Sequence, residues 1–217
     1  MKSLFKVDRP YSVCVIDIGS PKLGNIGWCL KDAHSKKKCT GDDLDELFVH
    51  IDASTKMGGL IIGLEAPLFV PLRKDLILAT KARKGEGRRP WSAGAGAQVL
   101  AMNLPIMIYL FKGIQSLSPD LHYFLNEENF LAKPKQVMMF EALVSGKDKG
   151  SSHIHDAEIM ATSCYTESMK CLLPPSILEY EYETEFFNLA AAALLRCGIL
   201  EDLNSLNVCS PIYKPSD

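Results

Sequence analysis

The sequence lacks the markers of several protein classes. Its 217 residues contain seven cysteines but no C-x-x-C pair, which argues against both a disulfide framework and a zinc cluster. The longest apolar run, 99–111, is interrupted by Asn103 and Pro105 and is too short to cross a hydrocarbon layer of about 30 Å as a helix. The first ten residues carry no apolar stretch typical of a secretion signal. We therefore expect a protein of the reducing cytoplasm that does not span a membrane.

Charge is nearly balanced overall but unevenly distributed. The chain has 24 basic and 26 acidic residues, and 47% of its residues are hydrophobic, enough for the core of one domain (1–217) with an insertion at about 68–96. Seven basic residues but only two acidic ones fall between positions 73 and 89: Arg73, Lys74, Lys81, Arg83, Lys84, Arg88 and Arg89. This segregation favours a positive patch for a phosphate-bearing partner, although a solvated helix face would show the same pattern.

Three short apolar runs predict buried strands at 13–18, 60–64 and 137–140. Because both faces of these runs are apolar, we expect parallel strands of one α/β sheet, with helices on each side and the first two strands adjacent. The segment 25–30 predicts a hairpin partner for the first strand. Helices are predicted at 42–52, 97–115, 151–170 and 185–197 from their apolar spacing and capping residues.

Each of the three apolar runs delivers an acidic residue at or near its carboxyl end: Asp17, Glu65 and Glu141. Carboxyl ends of adjacent parallel strands lie about 4.8 Å apart, so Asp17 and Glu65 are expected to reach one cation. Asp156, at the start of a predicted helix, is a fourth candidate. A single strand-end carboxylate often only caps a helix or faces water, but several buried together require a cation, a proton or a basic partner. Oxygen ligands favour Mg²⁺ or Mn²⁺ over zinc.

Two histidines, His153 and His155, precede Asp156, and histidines beside an aspartate are typical of zinc hydrolases. Their spacing is not the i, i+4 of a helical zinc pair, so zinc is disfavoured. Either they are ordinary residues of a helix start, or one of them handles protons or phosphate near the metal.

The order of these motifs resembles the uncharacterised ribonuclease H-like domain family, whose members are predicted nucleases. The resemblance spans nearly the whole chain and rests on Val15-Ile16-Asp17-Ile18-Gly19, Gly63-Leu64-Glu65-Ala66-Pro67, Arg73-Lys74-Asp75, Phe140-Glu141 and an alanine-rich last helix. It implies a ribonuclease H-like mixed sheet of order 3-2-1-4-5 with helices on both faces. It also implies acids from strand 1, strand 4 and a late helix around divalent metal, and Asp17 and Glu65 match directly. The family has an Asp-x-x-Asp-Ala motif on a late helix, and this chain has Asn188 there. Either Asp156 takes the place of the missing metal ligand, or the activity is lost.

The predicted function is metal-dependent hydrolysis of phosphodiester bonds. Two Mg²⁺ ions about 3.5 to 4 Å apart would activate a water and stabilise the leaving oxygen. Asp17 would bridge both ions, Glu65 and Asp156 would flank them, and Glu141 would bind directly or through water. The residues expected to hold phosphates of a nucleic acid, or to stack a base, are Arg73, Lys74, Arg88, Arg89 and Trp91. A tryptophan in this position more commonly anchors a long loop in the core.

Two other functions remain open. A non-catalytic binding or scaffold protein would keep the fold without the metal site, and Asn188 favours it. An actin-like phosphotransferase would bring the segment 17–20 to a nucleotide phosphate, although such enzymes usually have two sheet domains and a longer chain.

Overall fold

The strands and helices follow the hydrophobic pattern closely. The computed structural model describes residues 5–86, 90–144, 148–179 and 185–216, which form a mixed α/β fold with a seven-stranded sheet and, within these ranges, four α-helices. The strands are β1 (Ser12–Ile18), β2 (Ile26–Lys31), β3 (Lys38–Gly41), β4 (Leu60–Leu64), β5 (Phe69–Leu72), β6 (His122–Phe124), β7 (Gln136–Ala142), β8 (Glu185–Asn188) and β9 (Ile212–Tyr213). The helices are α1 (Leu44–Met57), α2 (Ala95–Leu117), α3 (His153–Ser168) and α4 (Leu189–Arg196).

The sheet is organised around β1, every residue of which is buried. β1 pairs antiparallel with β2 and parallel with β4, and β4 pairs parallel with β7. These pairings confirm the predicted hairpin and the predicted adjacency of 13–18 and 60–64. The strand order is β3-β2-β1-β4-β7-β6, with β9 beside the end of β7, while β5 and β8 form a separate antiparallel pair. The carboxyl ends of β1, β4 and β7 therefore meet at one edge.

Helices cover both faces of the sheet, as strands apolar on both faces require. α1, α2 and α4 pack on the face that carries Cys14 and Ile16 of β1. α3 packs on the opposite face, against Val15. The start of α3 approaches β2 closely because Gly27 has no side chain: a Cβ there would lie 2.3 Å from the backbone nitrogen of Ile154. This approach brings the first turn of α3 to the end of β1.

α2 is longer than predicted and contains Pro105 in its interior. By length and composition alone it is the one helix in the described ranges that could cross a membrane, and 28% of its most apolar stretch is buried within the protein. Its buried apolar residues join the main core: Ile106, Met107, Leu110, Phe111 and Ile114. This face packs against α1 and α4.

The last predicted helix begins later than expected, so the prediction for 185–188 was wrong. These residues form β8, which pairs antiparallel with β5 so that Asn188 lies opposite Phe69. α4 starts only at Leu189, where the side chain of Asn188 accepts a hydrogen bond from the backbone nitrogen of Ala191 at 2.8 Å. A tertiary strand pairing thus overrides a helical apolar spacing.

Candidate metal centre

Strand register brings two of the predicted acids together. Ile16 pairs with Leu64, so the residues that follow, Asp17 and Glu65, are neighbours at the carboxyl ends of β1 and β4. The backbone nitrogen of Glu65 donates to the carbonyl of Ile16 at 2.9 Å, which continues the ladder to this point. Side chains alternate between the faces of a strand, so both acids point to the face that carries Ile61 and is covered by α3.

α3 supplies the third carboxylate, from Asp156. The hydroxyl of Ser152 accepts from the backbone nitrogen of His155 and caps the helix, which sets Asp156 in the first turn. Carboxylate oxygens of Asp17, Glu65 and Asp156 lie within 4.8 Å of one another, and their side chains are 5%, 13% and 7% exposed. We call these three residues the carboxylate cluster. A buried cluster of this kind could bind a metal ion.

Burial changes the proton affinity of the cluster. It raises the pKa of Glu65 to about 9, and the neighbouring charges of Asp17 and Asp156 act in the same direction. Burial also raises the pKa of Asp17, although the adjacent His153 opposes the shift. Glu65 Oε2 is buried and has no hydrogen-bond partner among the described residues. Without a cation, Glu65 is therefore protonated at neutral pH.

Two basic side chains border the cluster. His153 Nδ1 lies 2.6 Å from Asp17 Oδ2. Lys149 Nζ lies 3.9 Å from Glu65 Oε1 and 3.7 Å from Asp156 Oδ2, and its side chain is half exposed. Both distances from Lys149 are too long for a normal hydrogen bond. Lys149 therefore balances the negative charge of the cluster without occupying the positions of metal ligands.

The sequence left open whether His153 and His155 are ordinary residues of a helix start or whether one of them serves the site, and in the structure only His153 contacts the cluster. His155 Nδ1 instead accepts from the backbone nitrogen of Ser151 at 3.1 Å. Lys149 was not predicted at all. Its closeness in sequence to the start of α3 was the only available signal.

Glu141 lies outside the cluster, contrary to its predicted place as a direct or water-mediated ligand. It pairs with Leu64 rather than with Glu65, so its side chain points to the opposite face of the sheet. There Arg83 donates to its two carboxylate oxygens at 2.8 and 2.6 Å, and the backbone nitrogen of Leu68 donates at 3.2 Å. Arg83 also pairs with Glu86 at 2.9 Å, and all three charged side chains are at least 95% buried. Glu141 anchors the basic insertion to the sheet.

None of the described residues that were predicted to bind phosphate or a base lines the cavity beside the cluster. The guanidinium of Arg73 donates to the carbonyls of Leu78, Lys81 and Ala82, which closes its own loop. Lys74 is exposed. Trp91 is partly exposed, and its Nε1 is buried without a partner among the described residues. Two further predicted residues, Arg88 and Arg89, fall outside the residues that the structure describes.

An open cavity of about 520 Å³ borders the cluster instead. It is lined by Gly24, Asn25, Ile26, Asp42, Lys149, Gly150, Ser151, Ser152, His153, Ile154 and Asp156. Arg73, Lys74 and Trp91 do not line it. The groups that a ligand at the cluster would meet therefore come from the β1–β2 connection, from Asp42 between β3 and α1, and from the segment that leads into α3.

Asn188 has a structural role. Its side-chain oxygen caps α4, while its Nδ2 donates to the carbonyl of Val208 at 2.8 Å and to the hydroxyl of Ser210 at 2.9 Å. The residue is fully buried and lies outside the carboxylate cluster. The feature that favoured a non-catalytic protein is thus explained by helix capping.

Comparisons with known proteins provide no assignment: no family model, curated protein or solved structure matches the chain. The resemblance to the ribonuclease H-like domain family therefore stays a prediction based on the motifs of this sequence.

Proposed function

We propose that the chain is a ribonuclease H-like nuclease that hydrolyses phosphodiester bonds with Mg²⁺ or Mn²⁺ at the carboxylate cluster. The observation that carries the proposal is the convergence of three buried carboxylates, from β1, from the end of β4 and from α3, within 4.8 Å. The buried, unpartnered Glu65 Oε2 adds support, because a cation would satisfy it. An all-oxygen donor set suits a hard divalent ion better than zinc.

Three features of the fold support this proposal. The run β3-β2-β1-β4 has the first four positions of the order that the family resemblance implies, although β5 pairs with β8 and not with this sheet, and helices flank both faces of the sheet. β7 follows β4 as the next parallel strand, and the shorter β6 lies beyond it. The acids sit at the carboxyl edge of the parallel strands, where open α/β sheets bind ligands.

Asp17, Glu65 and Asp156 would hold the divalent metal, which would polarise the phosphate and lower the pKa of a bound water. Lys149 lies against two of these carboxylates. With their charge neutralised, its ammonium group would be available for a phosphate oxygen of the substrate. His153 is held by Asp17 through Nδ1 and lines the cavity. The substrate would therefore approach through the cavity beside α3.

The partner in this proposal is a nucleic acid or another phosphate-bearing substrate in the cytoplasm. Lys149 and His153 line the cavity and would bind the phosphate there, whereas Arg73 does not line it and donates to three carbonyls of its own loop. Lys74 is exposed and would act only on a substrate long enough to reach the insertion.

A nuclease screen with Mn²⁺ on single- and double-stranded DNA, RNA and small nucleotides tests the proposal. We expect cleavage by the wild type and a loss of at least about 100-fold in Asp17→Asn, since even outer residues of metal sites contribute 10- to 100-fold. Asp120→Asn is the matched control, because Asp120 is exposed and pairs with Lys135 at the surface. It should retain full activity.

A binding measurement separates the other two functions. Mn²⁺ at one hundred times its dissociation constant should stabilise the wild type by about 2.7 kcal/mol and leave Asp17→Asn unaffected. No response of the wild type to Mn²⁺ would favour a scaffold protein. Saturable ATP binding with phosphate transfer, and no cleavage of nucleic acid, would favour the actin-like phosphotransferase.

A further inference from the structure

A second cavity, of about 490 Å³, lies apart from the carboxylate cluster. None of Asp17, Glu65 and Asp156 lines it. Its volume falls within the range of about 300 to 1,000 Å³ that is typical of sites for small ligands. The proposed nuclease activity makes no use of this cavity, which is formed by β5, β8 and the loops around residues 126–128, 174–179 and 207–211.

The walls of this cavity are aromatic and rich in proline. Phe69 and Phe186, on the paired strands β5 and β8, contact each other edge to face with ring centroids 5.5 Å apart. The remaining apolar lining includes Phe5, Pro71, Pro174, Pro175 and Pro211. Aromatic faces attract cations. Phe69 is 1% exposed and the guanidinium of Arg83 stacks 4.6 Å from its ring centroid, so the partly exposed ring of Phe186 is the one that remains for a ligand. The wall therefore suits a ligand with both an apolar part and a positive charge.

Both basic residues of the lining already have acidic partners. Three glutamates and two basic residues line the cavity: Glu127, Glu128, Glu179, Arg83 and Lys84. Arg83 is held by the two buried carboxylates of Glu86 and Glu141, and Lys84 pairs with Glu179 at 3.0 Å. Within the described ranges, no lysine or arginine pairs with Glu127 or Glu128. The lining thus carries a surplus of negative charge.

Among the glutamates of the lining, Glu127 is the one whose negative charge is least compensated. Its carboxylate is partly buried and accepts a hydrogen bond from the hydroxyl of the fully buried Tyr213 at 3.3 Å. Burial raises its pKa, which means that the site does not fully compensate the charged form. Glu128, by contrast, is exposed and can be solvated by water.

We propose that this cavity binds a small organic cation, an alkylammonium or alkylguanidinium compound, whose charge pairs with Glu127 and whose alkyl chain lies against Phe186 and the prolines. A cation satisfies the carboxylate, while the apolar walls favour the alkyl chain over an inorganic ion. This site is independent of the proposed nuclease activity.

Calorimetric titration with n-butylguanidinium, and with the uncharged and similarly shaped n-butylurea, tests the proposal. We expect saturable binding of the cation and at least tenfold weaker binding of the urea. Glu127→Gln should weaken cation binding at least tenfold, whereas Glu128→Gln should change it less than threefold. Phe186→Leu, which keeps an apolar side chain but removes the ring, should also weaken it.

Thermal melts without ligand establish that each variant is folded before its affinity is compared. Asp17→Asn should bind n-butylguanidinium as the wild type does, so failure of the metal site and failure of this cavity are distinguishable. Absence of saturable cation binding, equal binding of the urea, or full affinity in a folded Glu127→Gln variant would each overturn the proposal.

Discussion

Glu65 should release a proton when the carboxylate cluster binds a metal ion. Its pKa of about 9 means that it is protonated at pH 7 in the metal-free protein, and a cation must displace that proton to use both oxygens. The affinity for Mn²⁺ should therefore rise about tenfold per pH unit between about pH 6 and pH 8, equivalent to about 1.4 kcal/mol per unit. Above the pKa of Glu65 this dependence should level off.

The same shift determines how the metal-free protein responds to pH. The pKa of a glutamate is 4.5 without the shift and about 9 in the folded protein, so the folded state binds this proton more tightly than the unfolded state does. Its contribution to stability is fully present below pH 4.5 and is lost as the pH rises toward 9. The loss should approach about 1.4 kcal/mol per pH unit within this window. Glu65→Gln should flatten the slope, because the amide resembles the protonated acid.

Titration calorimetry in two buffers of different ionisation enthalpy counts the protons released on Mn²⁺ binding. We expect at least one at pH 7 in the wild type and in the surface control Asp120→Asn, and one fewer in Glu65→Gln. Denaturant melts in EDTA across the window measure the slope for the metal-free protein. Mn²⁺ binding without proton release, or metal-free stability that rises with pH, would refute the reasoning.

Two further predictions concern residues that the structure assigns to stability. Arg83→Met leaves Glu86 and Glu141 buried without their cation and should lower the free energy of unfolding in urea by about 3 to 5 kcal/mol. A decrease below about 1 kcal/mol would contradict a stabilising role of the buried network. Asn188→Ala removes the cap of α4 and should cost about 1 to 2 kcal/mol, measured in the same way, with no change in Mn²⁺ affinity. A weaker Mn²⁺ affinity in Asn188→Ala would instead indicate that Asn188 contributes to the metal site.

The sequence by itself determined the central strands and two members of the cluster. Runs that are apolar on both faces can be buried only inside a sheet with helices on each side, so 13–18 and 60–64 were predicted as neighbours, as observed. Acids directly at the ends of such strands are held to the carboxyl edge by the backbone. This is why the closeness of Asp17 and Glu65 was predictable.

The tertiary structure decided which other groups join them. Glu141 also ends an apolar strand, but a one-residue difference in register turns its side chain to the other face, where Arg83 binds it. Because 137–140 is apolar on both faces, its sequence carries no alternation that could reveal this register. Lys149 reaches the cluster through long-range packing of the start of α3 on β2, which local sequence patterns do not encode. Local patterns fix which segments are buried, whereas register and the packing between distant segments fix which side chains meet.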